Sequence, residues 1–347
     1  MLARLLTFIL LLSIMTGCQS RAAMPTDQTH HTADGFRNLY PGGEFRGSFW
    51  KWQWERWRDG LPRVSAGGYH FEVRRPDVAW LQANRDDPTI TWIGHALFLL
   101  QLGGRNVLTD PHLTARASPL PFAFVNRVTP LALNFADLPR IDAVVISHNH
   151  YDHLDVGTVR QLARRAGGSP RFFVPLGLKR WFENEGITDV AEMDWWESLQ
   201  FGGLRFTFTP VQHWSARSLF DRNRSLWGGW RIDTAGCSAF FAGDTGYSPD
   251  FAEIRRRLGP VDLAMLPIGA YEPRWFMKVM HVNPEEAVRI HQALGARHSV
   301  AMHWGTFVLT DEPLDEPPKR LASALQAAGV DAERFWLFRH GETRRLP

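Results

Sequence analysis

Residues 148–153, His-Asn-His-Tyr-Asp-His, put three imidazoles and one carboxylate into a single short stretch of chain. Neutral imidazole nitrogens and carboxylate oxygens are the ligands of divalent transition ions, and several in so short a span can be aimed at one point. Solvated loops draw on Lys, Glu and Ser instead. The preceding stretch, Ile141-Asp142-Ala143-Val144-Val145-Ile146-Ser147, reads as an apolar strand, which sets the cluster on a strand-to-helix turn. This ligand density points to a two-metal hydrolytic site, in which paired ions polarise an ester and bring the pKa of a shared water towards neutrality. Zinc, as two Zn2+ per chain, is the first choice for the donor set; iron or manganese would accept the same ligands.

Holding such a cluster in place takes strands and helices in alternation, and the rest of the chain supplies them. Runs rich in Val, Ile, Phe and Thr predict strands over 89–93, 96–102, 105–109, 141–147, 171–174, 204–209, 238–243, 262–267 and 299–303. Helix signals lie between them. Asp155 is placed to cap a helix over 156–166. Ser248-Pro249 precedes one over 250–258, with Gly259 at its stop. Asn283-Pro284-Glu285-Glu286 opens one over 284–294 before Gly295, and Pro318 opens another that Gly329 closes. No repeat or linker interrupts 85–347, so the reading is one α/β domain.

His-x-His-x-Asp-His after an apolar strand resembles the signature of the metallo-β-lactamase fold hydrolases. The resemblance implies a four-layer αββα sandwich of two mixed β-sheets flanked by helices. It also implies further ligands, sought in order along the chain. His213 stands in Thr209-Pro210-Val211-Gln212-His213-Trp214, Asp244 in Phe241-Ala242-Gly243-Asp244-Thr245-Gly246, and His303 in Val300-Ala301-Met302-His303-Trp304-Gly305. Each follows an apolar strand, at the edge where α/β folds place their sites. By resemblance, His148, His150 and His213 hold one metal, Asp152, His153 and His303 hold the other, and Asp244 bridges the two. Asp110, in Leu108-Thr109-Asp110-Pro111, matches the family's buried aspartate that orients the ligand loop.

Longer stretches narrow the resemblance. The segments 147–155, 212–214, 243–247, 267–277, 281–287 and 302–307 are similar to the N-acylphosphatidylethanolamine-hydrolysing phospholipase D branch, over about residues 85–345. That branch implies hydrolysis of a membrane phosphodiester to phosphatidic acid and an N-acylethanolamine. A phosphodiester suits paired cations because it offers them two non-bridging oxygens. Asp152 and Asp244 would then be catalytic as well as metal-binding. His281, outside the ligand set, would contact the phosphate or help protonate the leaving alkoxide. Tyr271, Arg274, Trp275 and Phe276 are candidates for a groove receiving acyl chains, with Arg274 near phosphate or paired with Glu272. Residues 117–124 form an apolar loop that either contacts lipid or packs on the amino-terminal arm.

The amino-terminal residues depart from that branch. A short apolar run over 5–15 followed by Met15-Thr16-Gly17-Cys18 resembles a bacterial lipoprotein signal. Division of the chain then follows: a signal peptide over 1–17, a tether and Trp-rich arm over 18–60, and a catalytic domain over 61–347. Cys18 would carry the lipid, and Gln19 after it favours the periplasmic side of the outer membrane, in the bacterial cell envelope. Cys237 is expected as a buried strand thiol. Phe49-Trp50-Lys51-Trp52-Gln53-Trp54-Glu55-Arg56-Trp57-Arg58 either lies in a membrane interface or packs its indoles on the main body. The expected partner is a phospholipid or membrane surface, with a homodimer left open. Nucleic acid is not expected: net charge is only +3, and the basic run Arg255-Arg256-Arg257 sits on a predicted helix as a solvated face. The rival functions are a lactonase or other small-ester metallohydrolase, and a non-catalytic envelope lipoprotein that binds lipid.

Overall fold

A computed structural model of the chain describes residues 28–40, 49–60, 68–118 and 125–346. The signal over 1–17, Cys18, most of the tether and the loop tip at 119–124 lie outside the described residues. A hairpin of β1 (His31–Thr32) and β2 (Gly35–Phe36) comes first. Helix α1 (Phe49–Asp59) carries the Trp-rich segment, and α2 (Val78–Ala83) follows. The first large sheet is then laid down as β3 (Thr89–Gly94), β4 (Leu97–Leu102), β5 (Arg105–Thr109), β6 (Ala143–Val145), β7 (Arg171–Pro175) and β8 (Val190–Met193). Helices α3 (Val156–Ala163) and α4 (Lys179–Asn184) connect its parallel strands.

The second sheet comprises β9 (Ser198–Phe201), β10 (Leu204–Thr209), β11 (Gly229–Asp233), β12 (Ser238–Phe241), β13 (Leu263–Pro267), β14 (His298–Met302) and β15 (Phe335–Trp336). Its helices are α5 (Asp250–Leu258), α6 (Arg274–Met277), α7 (Pro284–Leu294) and α8 (Glu316–Ala328). The last strand, β16 (Thr343–Arg345), returns to pair with β3. Strand order is β16-β3-β4-β5-β6-β7-β8 in one sheet and β15-β14-β13-β12-β11-β10-β9 in the other. Both are mixed: β5 to β8 and β12 to β15 run parallel, and the remaining pairs antiparallel.

Side-chain alternation builds the layers. Along β4, Phe98, Leu100 and Leu102 enter a core shared with Phe206, Phe208, Trp230 and Phe240 of the second sheet. Leu97 and Leu99 of the same strand point the other way, joining Leu81 of α2, Val159 and Leu162 of α3 and Phe182 of α4. A strand buried on both faces must be apolar at every position, and β4 nearly is. On the far side, Phe251 and Ile254 of α5, Val288 and Ile290 of α7 and Leu321 of α8 close the shared core. The expected four-layer αββα sandwich of two mixed sheets is the observed fold. Each fully buried Phe or Leu contributes about 1.5–3 kcal/mol of burial free energy.

Several boundaries differ from the sequence reading for physical reasons. The strand expected over 141–147 pairs only at Ala143–Val145. Strands β8, β9 and β11, with mixed or glycine-containing sequences, have no clean alternation to find. Cys237 is not a strand thiol: it lies partly exposed in the turn between β11 and β12, and burial with Asp262 and Asp233 nearby pushes its pKa up to about 11. Helix α7 matches its predicted bounds, because Asn283 and Glu286 form a reciprocal capping box and Gly295 adopts the left-handed conformation. At α5 the cap position is Pro249, and the Ser248 hydroxyl instead donates to Asp250 Oδ2 at 2.6 Å.

Asp250 yields a measurable consequence. Burial, reinforced by Glu253 and opposed by the Ser248 hydroxyl, raises its pKa to about 6. The group therefore favours the fold when protonated, and that contribution is lost as pH rises through about 6. Asp250→Asn should stabilise the chain at pH 7.5, on the order of 2–3 kcal/mol, with the advantage shrinking towards pH 4.5. Thermal melts of both proteins across that range check it; a gap independent of pH would be the contrary result.

Candidate metal centre

Six strand ends converge on the site. Beyond β3 comes His95, beyond β5 Asp110, beyond β6 the 148–153 turn, beyond β10 His213, beyond β12 Asp244 and beyond β14 His303. The turn is anchored at its far end by Asp155, whose carboxylate caps α3 by accepting from the Gly157 N–H and also accepts from the Thr114 N–H. Three of the site residues adopt left-handed backbone: His95 (φ 56°), Asp110 (φ 34°) and His303 (φ 61°). Residues with a Cβ resist that region, so the surrounding packing must hold them there. Gly243 (φ 60°) precedes Asp244, and a Cβ on it would stand 2.5 Å from the Ser147 Cβ. Glycine is required for the two ligand loops to pass.

The donor atoms sort into two groups joined by one carboxylate. His148, His150 and His213 offer nitrogens that lie within 4.8 Å of one another. His148 Nε2 stands 2.8 Å from His150 Nδ1, which stands 3.3 Å from His213 Nε2. His95, Asp152, His153 and His303 form the second group. Asp152 Oδ2 lies 2.9 Å from His95 Nε2, 3.3 Å from His153 Nε2 and 3.4 Å from His303 Nε2. Asp244 spans the two: Oδ2 is 3.1 Å from His153 Nε2 and 4.0 Å from His213 Nε2, and Oδ1 is 3.1 Å from His303 Nε2. His281 stands beside the bridge, its Nδ1 3.8 Å from Asp244 Oδ2.

A second set of contacts aims the ligands. Asp110 is wholly buried, and its carboxylate accepts from the Ser147 N–H (2.7 Å), the Ser147 hydroxyl and His153 Nδ1 (2.6 Å). That fixes the His153 tautomer with Nε2 turned to the centre. His213 Nδ1 donates to the Met280 carbonyl at 2.9 Å, leaving its Nε2 free to face the other imidazoles. The Asn38 side chain grips the His213 backbone from both sides, donating to its carbonyl at 2.9 Å and accepting its N–H at 3.1 Å. Arg217 Nη1 donates to the carbonyls of Asn149 and Leu154, both at 2.8 Å, bracing the 148–153 turn.

The charges call for cations. Burial opposes ionisation of Asp244 and Asp152, yet neighbouring protonated imidazoles hold both carboxyls well below their ordinary range. Burial would also lower His303, but Asp244 and Asp152 carry it to about 9, and the same carboxylates raise His153. The two buried carboxylates thus call for positive charge between them. His148, His150 and His213 are kept neutral by burial and mutual repulsion, as ligation demands. Asp244 Oδ1 is buried and, although 3.1 Å from His303 Nε2, accepts no well-aligned hydrogen bond. Imidazole and carboxylate donors with lone pairs turned on shared points fit divalent ions.

A sequence profile described as a β-lactamase superfamily domain matches residues 105–304. The chain belongs to the metallo-β-lactamase superfamily. It is 43% identical over 248 residues to an N-acyl-phosphatidylethanolamine-hydrolyzing phospholipase D of Caenorhabditis elegans, covering 68% of this chain and 69% of that one. It is 36% identical over 246 residues to a mitochondrial protein of that name from Saccharomyces cerevisiae, covering 69% of this chain and 52% of the yeast protein. Among solved structures, a possible metal-dependent hydrolase from Veillonella parvula has a TM-score of 0.58 at 18% identity, covering 75% of this chain and all of that one, and shares the fold. This superfamily member is a metal-dependent hydrolase.

The structure gathers every residue the sequence offered as a ligand, and places His95 beside them in the Asp152 group. Its only sequence signal was a histidine in the two-residue gap between the strands predicted over 89–93 and 96–102. Asn38 and Arg217, distant in sequence, had none. The proposed groove residues need correction. Tyr271 is buried and its hydroxyl donates to Glu316 Oε1 at 2.7 Å. Arg274 donates to Glu286 Oε2 at 2.7 Å and to the His281 carbonyl at 2.8 Å, so it braces the loop and the α7 cap. Glu272 takes the Arg274 backbone N–H instead of its guanidinium. Phe276 is covered by Trp52; of the four, Trp275 is the exposed one.

Three substitutions separate these roles. Asp244→Ala should lose metal from both groups, whereas Asp110→Asn should weaken retention about 10- to 100-fold while leaving every ligand present. His95→Ala should loosen the Asp152 group and spare the His148 group. Metal content after graded chelation reads all three; an unchanged profile for His95→Ala would remove that residue from the centre.

Proposed function

We propose that the chain hydrolyses a membrane phosphodiester, cleaving N-acylphosphatidylethanolamine to phosphatidic acid and an N-acylethanolamine with two zinc ions bound. The observation that carries the reading is the pair of donor groups joined by Asp244, which suits a phosphodiester because its two non-bridging oxygens can each meet a cation. The names of the worm and yeast relatives supply the substrate. When bound, the ions would polarise the phosphoryl group and lower the pKa of the attacking water. Water adds at phosphorus, the bond from phosphorus to the ethanolamine oxygen breaks, and a proton passes to the departing alkoxide. His148, His150 and His213 would hold one ion, His95, Asp152, His153 and His303 the other. His281, 3.8 Å from the bridging carboxylate, is placed to contact the phosphate or the departing oxygen.

The surroundings suit a substrate delivered from a lipid surface. Trp52 of α1 packs under Phe276, Met277 and Met280, and its indole N–H donates to Asp311 Oδ2 at 2.7 Å. This docks α1 against the segment whose Met280 carbonyl orients His213. Trp50 (78% exposed), Trp54 (57%) and Trp57 (75%) face outward, and Lys51 lies 4.4 Å over the half-exposed Trp275 ring. The two readings of the Trp-rich arm therefore divide between its indoles: one packs and three are open. Exposed indoles beside Lys and Arg settle at the headgroup level. Leu219 and Phe220 protrude from the loop that braces the 148–153 turn. No helix among the described residues is long and apolar enough to cross a membrane. Lipidation of Cys18 would complete the attachment, placing the enzyme on the envelope membrane, periplasmic side.

Mass spectrometry of products from a phospholipid panel tests the reaction: phosphatidic acid with free N-acylethanolamine is expected, and diacylglycerol would place the cut on the wrong side of phosphorus. Replacing Trp50, Trp54 and Trp57 together by Ala should lower turnover of vesicle substrate about tenfold and leave a soluble phosphodiester untouched. A rate that does not rise above the lipid's critical micelle concentration would favour a lactonase or other small-ester hydrolase. His281→Ala should lower kcat with metal content unchanged; undiminished turnover would remove it from the reaction.

A further inference from the structure

A second cluster of metal-type donors lies outside the centre. His30 Nε2 and His31 Nε2 each stand 2.7 Å from Asp194, the first on Oδ1 and the second on Oδ2. These three residues offer one ligand atom each within 4.8 Å. His30 is buried and stacks on the Trp195 ring, with centroids 4.4 Å apart. Asp194 is nearly buried, and His31 keeps a third of its side chain open to solvent. Successive residues of extended chain point to opposite faces. Here the short helical turn Gln28–His30 ends at the start of β1, and both neighbouring imidazoles reach one carboxylate. The separations are like those inside the metal centre, where His148 Nε2 and His150 Nδ1 lie 2.8 Å apart.

We infer that His30, His31 and Asp194 hold a divalent transition cation, zinc by donor type, as a structural latch separate from the catalytic ions. Two imidazoles and a carboxylate give three ligands, and the open side at His31 admits a water as the fourth. The latch lies at the start of a segment that reaches the centre. Arg37 N–H donates to the His30 carbonyl at 2.9 Å, closing the β1–β2 hairpin. Asn38, immediately after, grips the His213 backbone, and its Oδ1 also accepts from the Trp227 indole N–H at 3.1 Å. The ion ties residues 28–40 to the end of β8, and through Asn38 it steadies one ligand of the catalytic group.

Metal-free full-length chain titrated with zinc, followed by metal analysis, tests the latch. Wild type should take up about three equivalents per chain, and His31→Ala and Asp194→Asn about two. Hydrogen exchange supplies the independent readout: zinc should protect residues 28–40 in wild type and leave them unprotected in both variants. Unchanged uptake and protection in the variants would leave only a hydrogen-bonded clamp and overturn the proposal. His31 is partly exposed, so its loss leaves the core intact, and the difference of about one equivalent between wild type and variants isolates the latch from the catalytic ions. Uptake at the catalytic groups and lipid turnover are read separately, so failure of the latch leaves the proposed reaction standing.

Discussion

Asp244 is the contact on which the site depends, because it carries one buried negative charge from the second sheet into histidines that mostly belong to the first. Its two oxygens face His303 from its own sheet and His153 from the other, with His213 farther along. A carboxylate this deep costs several kcal/mol unless it meets cations. The fold answers by surrounding it with imidazoles, two of which, His153 and His213, have their other nitrogen already committed. Asp110 performs the same service one layer back, where it holds the 148–153 turn through Ser147 and His153. The sandwich is therefore closed at this edge by electrostatic demand, and elsewhere by apolar packing.

That demand explains why strained backbone gathers here. His95, Asp110 and His303 all stand in the left-handed region, and Gly243 lets one ligand loop pass under another. Such positions cost of order 1–3 kcal/mol each and survive only where neighbours over-determine them. The neighbours are visible: the His303 N–H donates to the His95 carbonyl at 3.0 Å, and the Thr306 hydroxyl accepts the His95 N–H at 2.9 Å. Strain in one loop is thus held by a hydrogen bond from the next.

The amino-terminal segments are part of this arrangement and not an appendage to it. Asn38 and the Met280 carbonyl hold His213 from two directions, and the α1 helix packs on the segment that carries Met280. Anything that moves α1 or residues 28–40 acts on a metal ligand through a single intervening contact. A membrane that orders α1 would therefore order the centre's surroundings as well. Arg274, left by the sequence between a phosphate contact and pairing with Glu272, joins this frame, bonding both the α7 cap and the His281 carbonyl.

How much was legible follows from the range of each interaction. His148, His150, Asp152 and His153 are neighbours in sequence, so their convergence was readable directly. His213, Asp244 and His303 were readable because each follows an apolar strand in an order the family repeats. The α7 boundaries were readable because a capping box is written within four residues. His95, Asn38, Arg217 and the His30–His31–Asp194 cluster were not, since their partners lie between 57 and 175 positions away. Tyr271 was misread, and the choice left open for Arg274 undecided, for the same reason: their acceptors, Glu316 and Glu286, are set by how helices pack. The chain by itself determined which chemistry the site performs, because ligand type is a property of residues. Only the tertiary structure decided which side chains face the ions and which brace them, because orientation is settled by packing between segments far apart in sequence.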